Sequence, residues 1–453
     1  MLKRFPPILS HIGSIFHNAG FQVFLVGGAI RNSLMNLPLS DYDLATDALP
    51  EDVKKLFHRV IPTGIKHGTV TVHYGGQTFE ITTFRVDGAY TNQRHPDSVS
   101  FSSSLPEDLR RRDLTINAIA LNLYSGELVD PTGGQRDIRE RIIRAIGNPA
   151  ERFNEDGLRL LRAVRFACEL NFTLEGETRR ALALCKDNLR QVSWERIRDE
   201  LNKMLASPAP SRSFFIMEEA GLLPLIIPEL SRCRGLEQKG RHRFDVFEHS
   251  LHACDGAPRD NPAVRLAALL HDIGKPLTLG RDEEGLPTFY RHEEESRRLA
   301  EEILTRLKYP KAVSAQVCHL IRYHMFHYES CWSDGAVRRF LAAVGIENWP
   351  DLLALRRADS YGAGLKTGAS DENLGELDAR INRALEVSRA LTVKDLRING
   401  NILAREGIPK GPVMGRVINF LLETVLDDPG QNTPEILLPL ARRFYETRIN
   451  LKG

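Results

Sequence analysis

The stretch from Phe21 to Asp43, FQVFLVGGAIRNSLMNLPLSDYD, constrains the fold of this chain more than any other segment. Its start is rich in β-branched and aromatic residues, which predicts a buried strand that ends at Gly27-Gly28 and leads into a helix from Ala29. Two glycines let backbone N–H groups approach an anion closely, and the N-terminus of the following helix favours negative charge. The stretch therefore predicts a phosphate site at this turn.

Two carboxylates follow the turn at Asp41 and Asp43, separated by one residue. On a strand, side chains with this spacing point to the same face, so we expect the pair to hold two divalent metal ions close together. Neither the glycine turn nor the pair of carboxylates is specific by itself, because Gly-Gly is more often only a tight turn and aspartates with this spacing more often lie in a solvated turn. Their order and distance favour one pocket for a triphosphate and its metal ions.

The composition is that of a soluble globular protein, with 42% hydrophobic and 26% charged residues. With 453 residues the chain is long enough for about two to four domains. No apolar run approaches the length of a membrane span, so we expect no membrane partner. Six cysteines without CxxC pairs indicate reduced thiols and a cytoplasmic location. The net charge of +2 excludes neither RNA nor a small ligand, because nucleic-acid binding depends on clustered charge.

The glycine turn and the two carboxylates, GGxxR followed by DxD, resemble the head of the nucleotidyltransferase superfamily. The resemblance is to the class II form, which includes bacterial tRNA CCA-adding enzymes and poly(A) polymerases. It implies a multidomain α+β protein with an N-terminal, polymerase β-like mixed sheet with helices, then an all-α neck, an HD body and a tail. It also implies that Gly27, Gly28 and Arg31 bind the nucleotide, and that Asp41 and Asp43 are catalytic and bind two Mg²⁺ ions.

A predicted hairpin follows, formed by the alternating segments Thr69 to Tyr74 and Gln77 to Arg85 around Gly75-Gly76. If it packs beside the DxD strand, Glu80 supplies a third catalytic carboxylate; the alternative is an edge-strand glutamate in water. The polar segment from Phe84 to Phe101 predicts a mobile loop. It resembles the flexible loop that class II tRNA nucleotidyltransferases need to add the terminal A.

Two residues of these segments depart from the family pattern. Asn32 follows the arginine, and Asn92 lies in the loop, where the family usually has aspartate. Because an asparagine side chain both donates and accepts hydrogen bonds, we expect Arg31 to remain oriented, with an altered local charge.

The segment from Leu109 to Ala120, LRRRDLTINAIA, resembles the second family motif, RRDxTxNA. Without that context, three consecutive arginines are more often a solvated basic patch. The resemblance implies that Arg111 and Arg112 contact triphosphate oxygens. It also implies that Asp113 and Asn117 contact ribose hydroxyls, because discrimination against deoxyribose requires groups that bond the 2′-OH.

The most specific signal is Glu151 to Ala167, ERFNEDGLRLLRAVRFA, whose near-helical apolar spacing predicts a helix with Asp156 and Arg159 on one face. A carboxylate accepts and a guanidinium donates, so the pair matches the edges of cytosine and adenine. Uracil and guanine present the reverse pattern and lose roughly 1–3 kcal/mol per bad contact. In isolation the pair is more often an ordinary ion pair within a helix. The segment resembles the class II base-reading motif, which implies that Arg162 and Arg165 also bind the nucleotide.

Ser193 to Leu201, SWERIRDEL, resembles the last neck motif and predicts a capped helix in which Glu195, Arg196 and Arg198 support the site. CCA-adding enzymes and poly(A) polymerases share the base-reading motif, so it does not separate them. The segment from Ile61 to Val72 resembles the CCA type and differs from the basic signature of bacterial poly(A) polymerases. CCA addition is therefore favoured, and an enzyme that adds only A remains an alternative.

A histidine pattern occupies the region from Phe244 to Asp359, where His271-Asp272 follow the apolar run LAALL. Adjacent His and Asp at the end of an apolar helix can bind one metal ion. The segment HDIGKP resembles the HD phosphohydrolase superfamily, which also implies that Lys275 meets a phosphate. The resemblance implies a divalent transition metal held by His271 and Asp272 with the distant His249 and Asp359, and a second ion for which His292 and His324 are the ligands. Hydrolysis of phosphate esters and a purely structural role both remain open.

The last segment, from about residue 371, resembles the tRNA-binding tail of the same enzymes, which reads the acceptor and TΨC arms by shape. We expect four domains: a head (1–130), a neck (131–205), a helical body (206–370) with an HD domain at about 244–360, and a tail (371–453). The oligomeric state is open, a homodimer included.

The sequence thus favours an enzyme that adds CMP, CMP and AMP, from CTP and ATP, to tRNA 3′ ends. An A-adding enzyme or a poly(A) polymerase is the alternative within the family. An HD phosphohydrolase acting on RNA ends or nucleotides, with the head as a nucleotide sensor, is the alternative from another class. A non-catalytic RNA-binding protein is the weakest interpretation.

Overall fold

A computed structural model describes residues 2–39, 41–64, 68–87, 99–238, 243–364 and 369–449. The chain divides into two compact units. The first contains Met1–Ser231 and Thr305–Tyr309, and the second contains Arg232–Leu304 and Pro310–Gly453. The centre of the predicted flexible loop, including Asn92, lies outside the described residues.

The first unit is built on a mixed sheet, which has seven strands within the described residues, in the order β3-β4-β5-β2-β1-β8-β9. The strands of the first unit are β1 (Val23–Val26), β2 (Asp43–Thr46), β3 (Val60–Gly64), β4 (Thr69–Tyr74), β5 (Gln77–Thr83), β6 (Arg85–Asp87), β7 (Val99–Phe101), β8 (Ala120–Asn122), β9 (Leu128–Val129), β10 (Ile142–Ile143) and β11 (Thr173–Leu174). Strands β2 and β5 are parallel, and the other pairs of the sheet are antiparallel. Strands β6 and β7, and strands β10 and β11, form two small separate sheets.

The centre of the sheet follows from the apolar run of the opening stretch. All four residues of β1 are buried, and Phe24 and Val26 pack with Ala45, Leu109 and Ala120 in one apolar cluster. The strand is two residues shorter at its start than the sequence predicted, and the helix after the glycine turn begins one residue earlier. The predicted hairpin is confirmed as β4 and β5.

Short helices cover the sheet and continue into the neck. The helices of the first unit are α1 (Pro7–Asn18), α2 (Gly28–Leu34), α3 (Pro50–Leu56), α4 (Leu105–Arg110), α5 (Gly134–Glu140), α6 (Pro149–Glu155), α7 (Leu158–Glu169), α8 (Gly176–Leu184), α9 (Trp194–Leu205), α10 (Ser211–Glu219), α11 (Leu223–Ile226) and α12 (Pro228–Ser231). Helices α7 and α9 pack against each other. The neck is thus mainly helical, with the two-stranded β10–β11 sheet in addition.

The second unit is helical apart from β12 (Gly280–Arg281) and β13 (Pro287–Thr288) within the described residues. Its helices are α13 (Val246–Gly256), α14 (Pro262–Leu270), α15 (His292–Arg306), α16 (Lys311–Tyr323), α17 (Asp334–Val344), α18 (Trp349–Gly362), α19 (Ala369–Val387), α20 (Gly400–Arg405), α21 (Pro412–Asp427) and α22 (Pro434–Phe444). Helix α13 packs against α14 and α18. None of the helices in the described ranges is long and apolar enough to cross a membrane.

Candidate active site

A cleft of about 660 Å³ in the first unit brings together residues that lie far apart in the sequence. Its lining includes Gly27, Gly28, Arg31, Asp41, Asp43, Arg111, Arg112, Asp113, Asn117, Asp156, Arg159, Arg162 and Arg165. These are all of the side chains and glycines that the sequence predicted to bind nucleotide or metal in the head and neck. Glu80, the predicted third carboxylate, does not line the cleft.

Asp43 is the first residue of β2, which lies between β1 and β5 in the sheet. Asp43 pairs with Val26 of β1 on one side and with Glu80 of β5 on the other, as expected if the hairpin packs beside the DxD strand. Asp41 precedes β2 and has a φ of 52°, so the prediction that it shares a strand face with Asp43 is wrong. The positive φ turns the chain just before the strand, and both aspartates still line the cleft.

The electrostatics of Asp43 favour a bound cation. Loss of surrounding water raises the pKa of Asp43, although Arg112 opposes this, and the charges of Glu80 and Asp41 raise the pKa further. Carboxylates that repel one another are stabilised by a divalent cation between them, and carboxylate oxygens are the ligands that Mg²⁺ prefers. The donor set therefore fits the expected Mg²⁺ ions.

The glycine turn leaves an open space beside Arg112 and Asp43. Gly27 has φ 74° and ψ −133°, a conformation that residues with a side chain rarely adopt. A Cβ at Gly27 would lie 3.5 Å from Arg112 Nη1 and 3.9 Å from Asp43 Oδ2. In the described part of the chain Arg112 Nε is buried and has no hydrogen-bond partner. An anion in this space would meet the guanidinium and backbone N–H groups together.

Arg31 is held by two amide side chains. Its Nη1 donates to Asn117 Oδ1 at 2.7 Å, and its Nε and Nη2 donate to Asn32 Oδ1 at 3.2 and 3.0 Å. The expectation that Asn32 keeps Arg31 oriented is therefore confirmed. Burial lowers the pKa of Arg31. Both of its hydrogen-bond partners are neutral amides, whereas an aspartate at position 32 would add a negative charge.

Asp113 is engaged by other protein groups. Its Oδ2 accepts from Arg162 Nε at 2.6 Å, and its Oδ1 accepts from Leu114 N at 2.8 Å and Asn117 Nδ2 at 3.4 Å. Burial would raise the pKa of Asp113, but Arg162 outweighs it and lowers the pKa to about 2. Asp113 thus orients Asn117 and Arg162 within the cleft, and its predicted ribose contact stays a prediction.

The segment from Glu151 to Ala167, which the sequence predicted to read the base, forms two helices rather than one. Helix α6 ends at Glu155 and α7 begins at Leu158, and Asp156 between them is extended, with φ −149° and ψ 110°. The prediction that Asp156 and Arg159 share one helix face is therefore wrong. The chain breaks at Gly157 because it packs against backbone, where a Cβ would lie 2.5 Å from Asn188 O. Asp156 Oδ1 accepts from the backbone N–H of Leu158 at 3.0 Å.

Asp156 and Arg159 are each bound by a different partner. Arg196 of α9 donates to both oxygens of Asp156, at 2.7 and 3.3 Å. Arg159 is ion-paired with Glu155 and donates to the backbone carbonyl of Arg111 at 3.2 Å. The ordinary Asp–Arg pair within a helix is not formed, so both side chains are positioned independently at the cleft.

Sequence reasoning did not assign Phe166, Glu169 and Lys203 to this site, although they line the cleft. The near-helical apolar spacing in the sequence indicated that Phe166 is a core residue of a helix. Glu169 lies four residues after Arg165 and pairs with it at 2.6 Å, which the i, i+4 spacing could have indicated. Lys203 lies two helical turns after Arg196, on the same face of α9.

A second cluster of polar side chains lies in the other unit. Two groups have ligand atoms that all lie within 4.8 Å of one another, namely His249 with His271 and Asp272, and Asp272 with His292 and His324. Asp272 belongs to both groups, with Oδ2 3.3 Å from His249 Nε2 and Oδ1 3.2 Å from His292 Nε2. Asp359 Oδ1 lies 3.1 Å from His249 Nε2, so all six predicted ligands are brought together.

Three of these histidines are oriented by backbone carbonyls. Nδ1 of His271, His292 and His324 lies 2.8, 2.8 and 2.6 Å from the carbonyl oxygen three residues earlier. With Nδ1 at these carbonyls, each Nε2 faces the cluster, where its lone pair would bind a metal ion once the ring is neutral. Asp272 Oδ1 is buried without a hydrogen-bond partner in the described structure. Imidazole and carboxylate donors of this kind fit a divalent transition metal.

Burial and charge shift the pKa values of this cluster in opposite directions. Burial alone would lower the pKa of His271, but Asp272 and Asp359 raise it to about 10. The histidines hold the pKa values of Asp272 and Asp359 well below their usual range. Burial and the charge of His271 lower the pKa of His324 to about 3. The cluster therefore concentrates charge among buried side chains.

Lys275 lies beside this cluster. Its Nζ is 2.6 Å from Asp272 Oδ2 and 2.6 Å from Gln238 Oε1. It lines a cavity of about 550 Å³ together with Arg356 and Tyr290. The predicted phosphate contact of Lys275 stays a prediction.

Three protein-family models match parts of the chain. Residues 23–144 match the Poly A polymerase head domain, residues 171–233 the probable RNA and SrmB- binding site of polymerase A, and residues 240–363 the HD domain. The CCA-adding enzyme of Lactobacillus gasseri is 34% identical over 430 residues, which cover 93% of this chain and 92% of that enzyme. The chain belongs to the family of CCA-adding enzymes. It is therefore a nucleotidyltransferase, and enzymes of this family use divalent metal ions.

Other CCA-adding enzymes match parts or all of the chain. That of Geobacillus stearothermophilus is 45% identical over 219 residues, 48% of this chain and 54% of that enzyme. A solved structure, the CCA-adding enzyme of Bacillus stearothermophilus in complex with CTP, has a TM-score of 0.75 and 28% identity, and covers 99% of this chain and 100% of that one. The predicted family and the predicted order of mixed-sheet head, helical neck and HD body are thus confirmed.

Proposed function

We propose that this enzyme adds CMP, CMP and AMP, from CTP and ATP, to the 3′ ends of tRNA. The observation that carries the proposal is the convergence of Asp41, Asp43, the Gly27 turn, Asp156 and Arg159 in one cleft. A carboxylate pair, an anion site and a base-edge pair are the three parts that nucleotide addition without a template strand requires. The likeness to a relative in complex with CTP supports it.

In this proposal the phosphate end of the nucleotide lies at the glycine turn. Arg112 and the backbone N–H groups after Gly27 hold the triphosphate, and Arg111 contributes a second guanidinium. Two Mg²⁺ ions bound by Asp41 and Asp43 would lower the pKa of the terminal 3′-hydroxyl and neutralise the leaving pyrophosphate. Alignment of the reacting groups and compensation of their charge then supply most of the rate.

The base end of the nucleotide lies at the neck. The carboxylate of Asp156 accepts from the exocyclic amino group of cytosine or adenine, and Arg159 donates to the ring acceptor beside it. Arg196 and Glu155 keep these two side chains in place. Uracil and guanine would face unpaired groups and are rejected. Asn117, oriented by Asp113, is suited to a ribose hydroxyl.

We also assign the domains proposed from the sequence: head (1–130), neck (131–205), body (206–370) and a tail (371–453) that binds the acceptor and TΨC arms of tRNA. Glu80 remains a third catalytic carboxylate in this proposal. Its support is the strand register that puts it beside Asp43. CTP, ATP and tRNA are the partners.

One experiment tests the function. Purified protein is incubated with tRNA transcripts that end before CCA, after the first C, or after CC, and is supplied with CTP, ATP or both. We expect addition of two C and one A to the shortest transcript, and no product longer than CCA. Addition of A alone to the CC-ended transcript would favour the A-adding enzyme, and long A tails on unrelated RNA would favour a poly(A) polymerase.

A variant tests the carboxylates. Asp43→Ala is expected to abolish incorporation while tRNA binding, measured by gel shift, is retained. Asp52→Ala, which removes a carboxylate of α3 outside the cleft, serves as the control and should remain active. Nucleotide addition by Asp43→Ala would overturn the two-metal assignment.

A second candidate function is metal-dependent hydrolysis of phosphate esters, such as 2′,3′-cyclic phosphates at RNA ends, in the second unit. The observation that favours it is the pair of ligand groups that share Asp272 in a cavity with Lys275 and Arg356. Bound divalent metal would supply an activated water. We expect Asp272→Asn to lose both bound metal and hydrolysis, and to keep nucleotide addition. Asp371→Asn, in an exposed ion pair with Arg357, is the control.

A further inference from the structure

Phe166 lies at the centre of three arginines of the nucleotide cleft. It is on α7, its side chain is 5% exposed, and it lines the cleft. The guanidinium carbons of Arg31, Arg162 and Arg165 lie 4.8, 5.6 and 3.9 Å from the centre of its ring. These distances are within the range of cation–π contacts.

The three cations would repel one another without a compensating group. Arg162 pairs with Asp113 at 2.6 Å, and Arg165 pairs with Glu169 and Glu200, each at 2.6 Å. Arg31 differs, because its hydrogen-bond partners are the amides of Asn117 and Asn32.

In the described structure Arg31 makes no ion pair. Burial and the charges of Arg165 and Arg162 lower the pKa of Arg31, while the charges of Glu169 and Asp113 raise it without a hydrogen bond to Arg31. The negative face of the Phe166 ring lies 4.8 Å from the guanidinium carbon of Arg31, so it adds a direct contact to the charges of Glu169 and Asp113. A buried aliphatic side chain of the same size would fill the space and supply no such surface.

We propose that Phe166 is a positioning residue whose ring face holds Arg31, together with Arg162 and Arg165, in the arrangement that binds a nucleoside triphosphate. The inference rests on the proposed function of the cleft. It extends that function by assigning to an apolar side chain the task of keeping three cations side by side. Loss of the ring's negative face then weakens nucleotide binding and leaves the chemical step and RNA binding largely unchanged.

The sharpest test changes the charge distribution of the ring without changing its shape. Phe166 is replaced by mono-, di- and trifluorinated phenylalanine, which weaken the ring's negative face stepwise. We expect the KM for CTP and for ATP to rise with each fluorine, by about two- to thirty-fold in total, with kcat nearly constant. A residue that only fills space would give the same KM in all four proteins, and that result would overturn the proposal.

Substitutions with natural residues give an independent readout. Phe166→Leu should raise the KM for both nucleotides, and Phe166→Tyr, which keeps the aromatic face, should restore it. Phe153→Leu is the matched control, because Phe153 is fully buried in the neighbouring helix α6 and, within the described residues, has no guanidinium over its ring. Equal KM changes in Phe166→Leu and Phe153→Leu would overturn the proposal, as would failure of Phe166→Tyr to restore nucleotide binding.

The two proposals fail in different ways. If the unmodified protein adds no nucleotide to any tRNA transcript, the proposed function is wrong. If it adds CCA normally and the fluorinated series leaves KM unchanged, only the role of Phe166 is wrong. Calorimetry without RNA measures the nucleotide affinity of each fluorinated protein directly. This measurement can also be made when turnover is too slow to determine KM.

Discussion

At the scale of single residues, Asp156 and Arg159, the proposed base-reading side chains, are each bound by another residue of the neck. Asp156 is fixed by Arg196 and Arg159 by Glu155, so neither side chain depends on the other for its position. A carboxylate with one guanidinium already bound keeps lone pairs for a second donor, and its orientation is set before the base arrives. Preorganised polar groups lose little when they bind, which is how two side chains can discriminate among four bases.

The first prediction concerns Arg196. Arg196→Met removes the guanidinium that orients Asp156, and we expect kcat/KM for CMP and AMP addition to fall by about ten- to a hundredfold, the equivalent of one or two hydrogen bonds. Selectivity over UTP and GTP should fall as well. Competition assays with mixed nucleotides measure both.

The control for Arg196 is on the same helix. Arg198, which the sequence also predicted to support the site, pairs with Asp199 and donates to the carbonyl of Lys308, and it does not line the cleft. Arg198→Met should leave base selection unchanged. Equal loss of selectivity in the two variants would mean that α9 acts through stability alone.

A second prediction uses the titration of Asp113. Its pKa is lowered from 3.8 to about 2 in the folded protein, which corresponds to about 2 kcal/mol of stability. Because the folded pKa is the lower one, this contribution is complete above about pH 4 and is lost as the pH falls toward 2. Asp113→Asn should therefore destabilise the first unit by a constant amount from pH 7 to about pH 5, and by less below pH 4.

Tryptophan fluorescence can follow this unit separately. The chain has three tryptophans, and Trp194 lies in the first unit while Trp332 and Trp349 lie in the second. Urea unfolding in a Trp332→Phe, Trp349→Phe background then reports on the first unit alone, and the comparison with Asp113→Asn in that background isolates the contribution of Asp113. A difference between wild type and Asp113→Asn that grows as the pH falls would contradict the assignment.

At the scale of elements, the strand–turn–helix of β1 and α2 builds the proposed phosphate site. The buried strand brings the chain to Gly27, whose backbone conformation turns it sharply into the helix, and strand pairing puts Asp43 beside the turn. The site is thus made by the meeting of three backbone elements, and few of its features depend on a flexible side chain. A side chain at Gly27 would occupy the open space itself.

The third prediction tests this turn. Gly27→Ala forces an unfavourable backbone conformation and directs a methyl group toward Arg112 and Asp43, so we expect the KM for CTP and ATP to rise at least tenfold. Gly411 provides a matched control, because it also precedes a helix with a positive φ (108°) and a Cβ there would meet nothing within 4 Å. Gly411→Ala should reduce stability to a similar extent and leave both KM values unchanged. Equal KM values in the two variants would exclude a phosphate at the turn.

At the scale of the whole molecule, each of the two compact units has its own cleft and its own set of ionisable groups. The first unit collects arginines and carboxylates suited to a triphosphate, and the second collects histidines and aspartates suited to a transition metal. The two sites use different donor atoms, so they should respond separately to chelators and to substitution.

The fourth prediction is metal removal. A ligand that binds only the folded state at a hundred times its Kd adds about 2.7 kcal/mol of stability, so chelation should lower the unfolding temperature of the second unit. Trp332 and Trp349 fluorescence should report this change, and Trp194 fluorescence should not when Mg²⁺ is kept in excess of the chelator. In Asp272→Asn the chelator should have no further effect. A chelator-dependent shift that persists in Asp272→Asn would place the metal elsewhere.

Sequence reasoning predicted local features best. The strand–turn–helix at Gly27, the hairpin around Gly75-Gly76 and the gathering of the HD ligands depend on nearby residues or on a specific pattern, and the structure contains all three. The break at Asp156-Gly157 could not be predicted, because it results from packing against the backbone of Asn188. The choice of Arg196 as the partner of Asp156 likewise depends on how α7 and α9 pack, which spacing along one helix does not specify.

The carbonyl of Arg111 joins the two ends of the nucleotide site. It accepts from Arg159, the proposed base-reading guanidinium, at 3.2 Å and from Arg152 at 3.3 Å, while the Arg111 side chain lines the cleft, where we propose that it contacts the phosphates. A base that displaces Arg159 would therefore pull on the chain that carries Arg111 and Arg112. We expect an incorrect nucleotide to bind weakly and with its triphosphate misaligned. Its kcat should then fall as well as its affinity, and the incorrect nucleotide is released before it reacts.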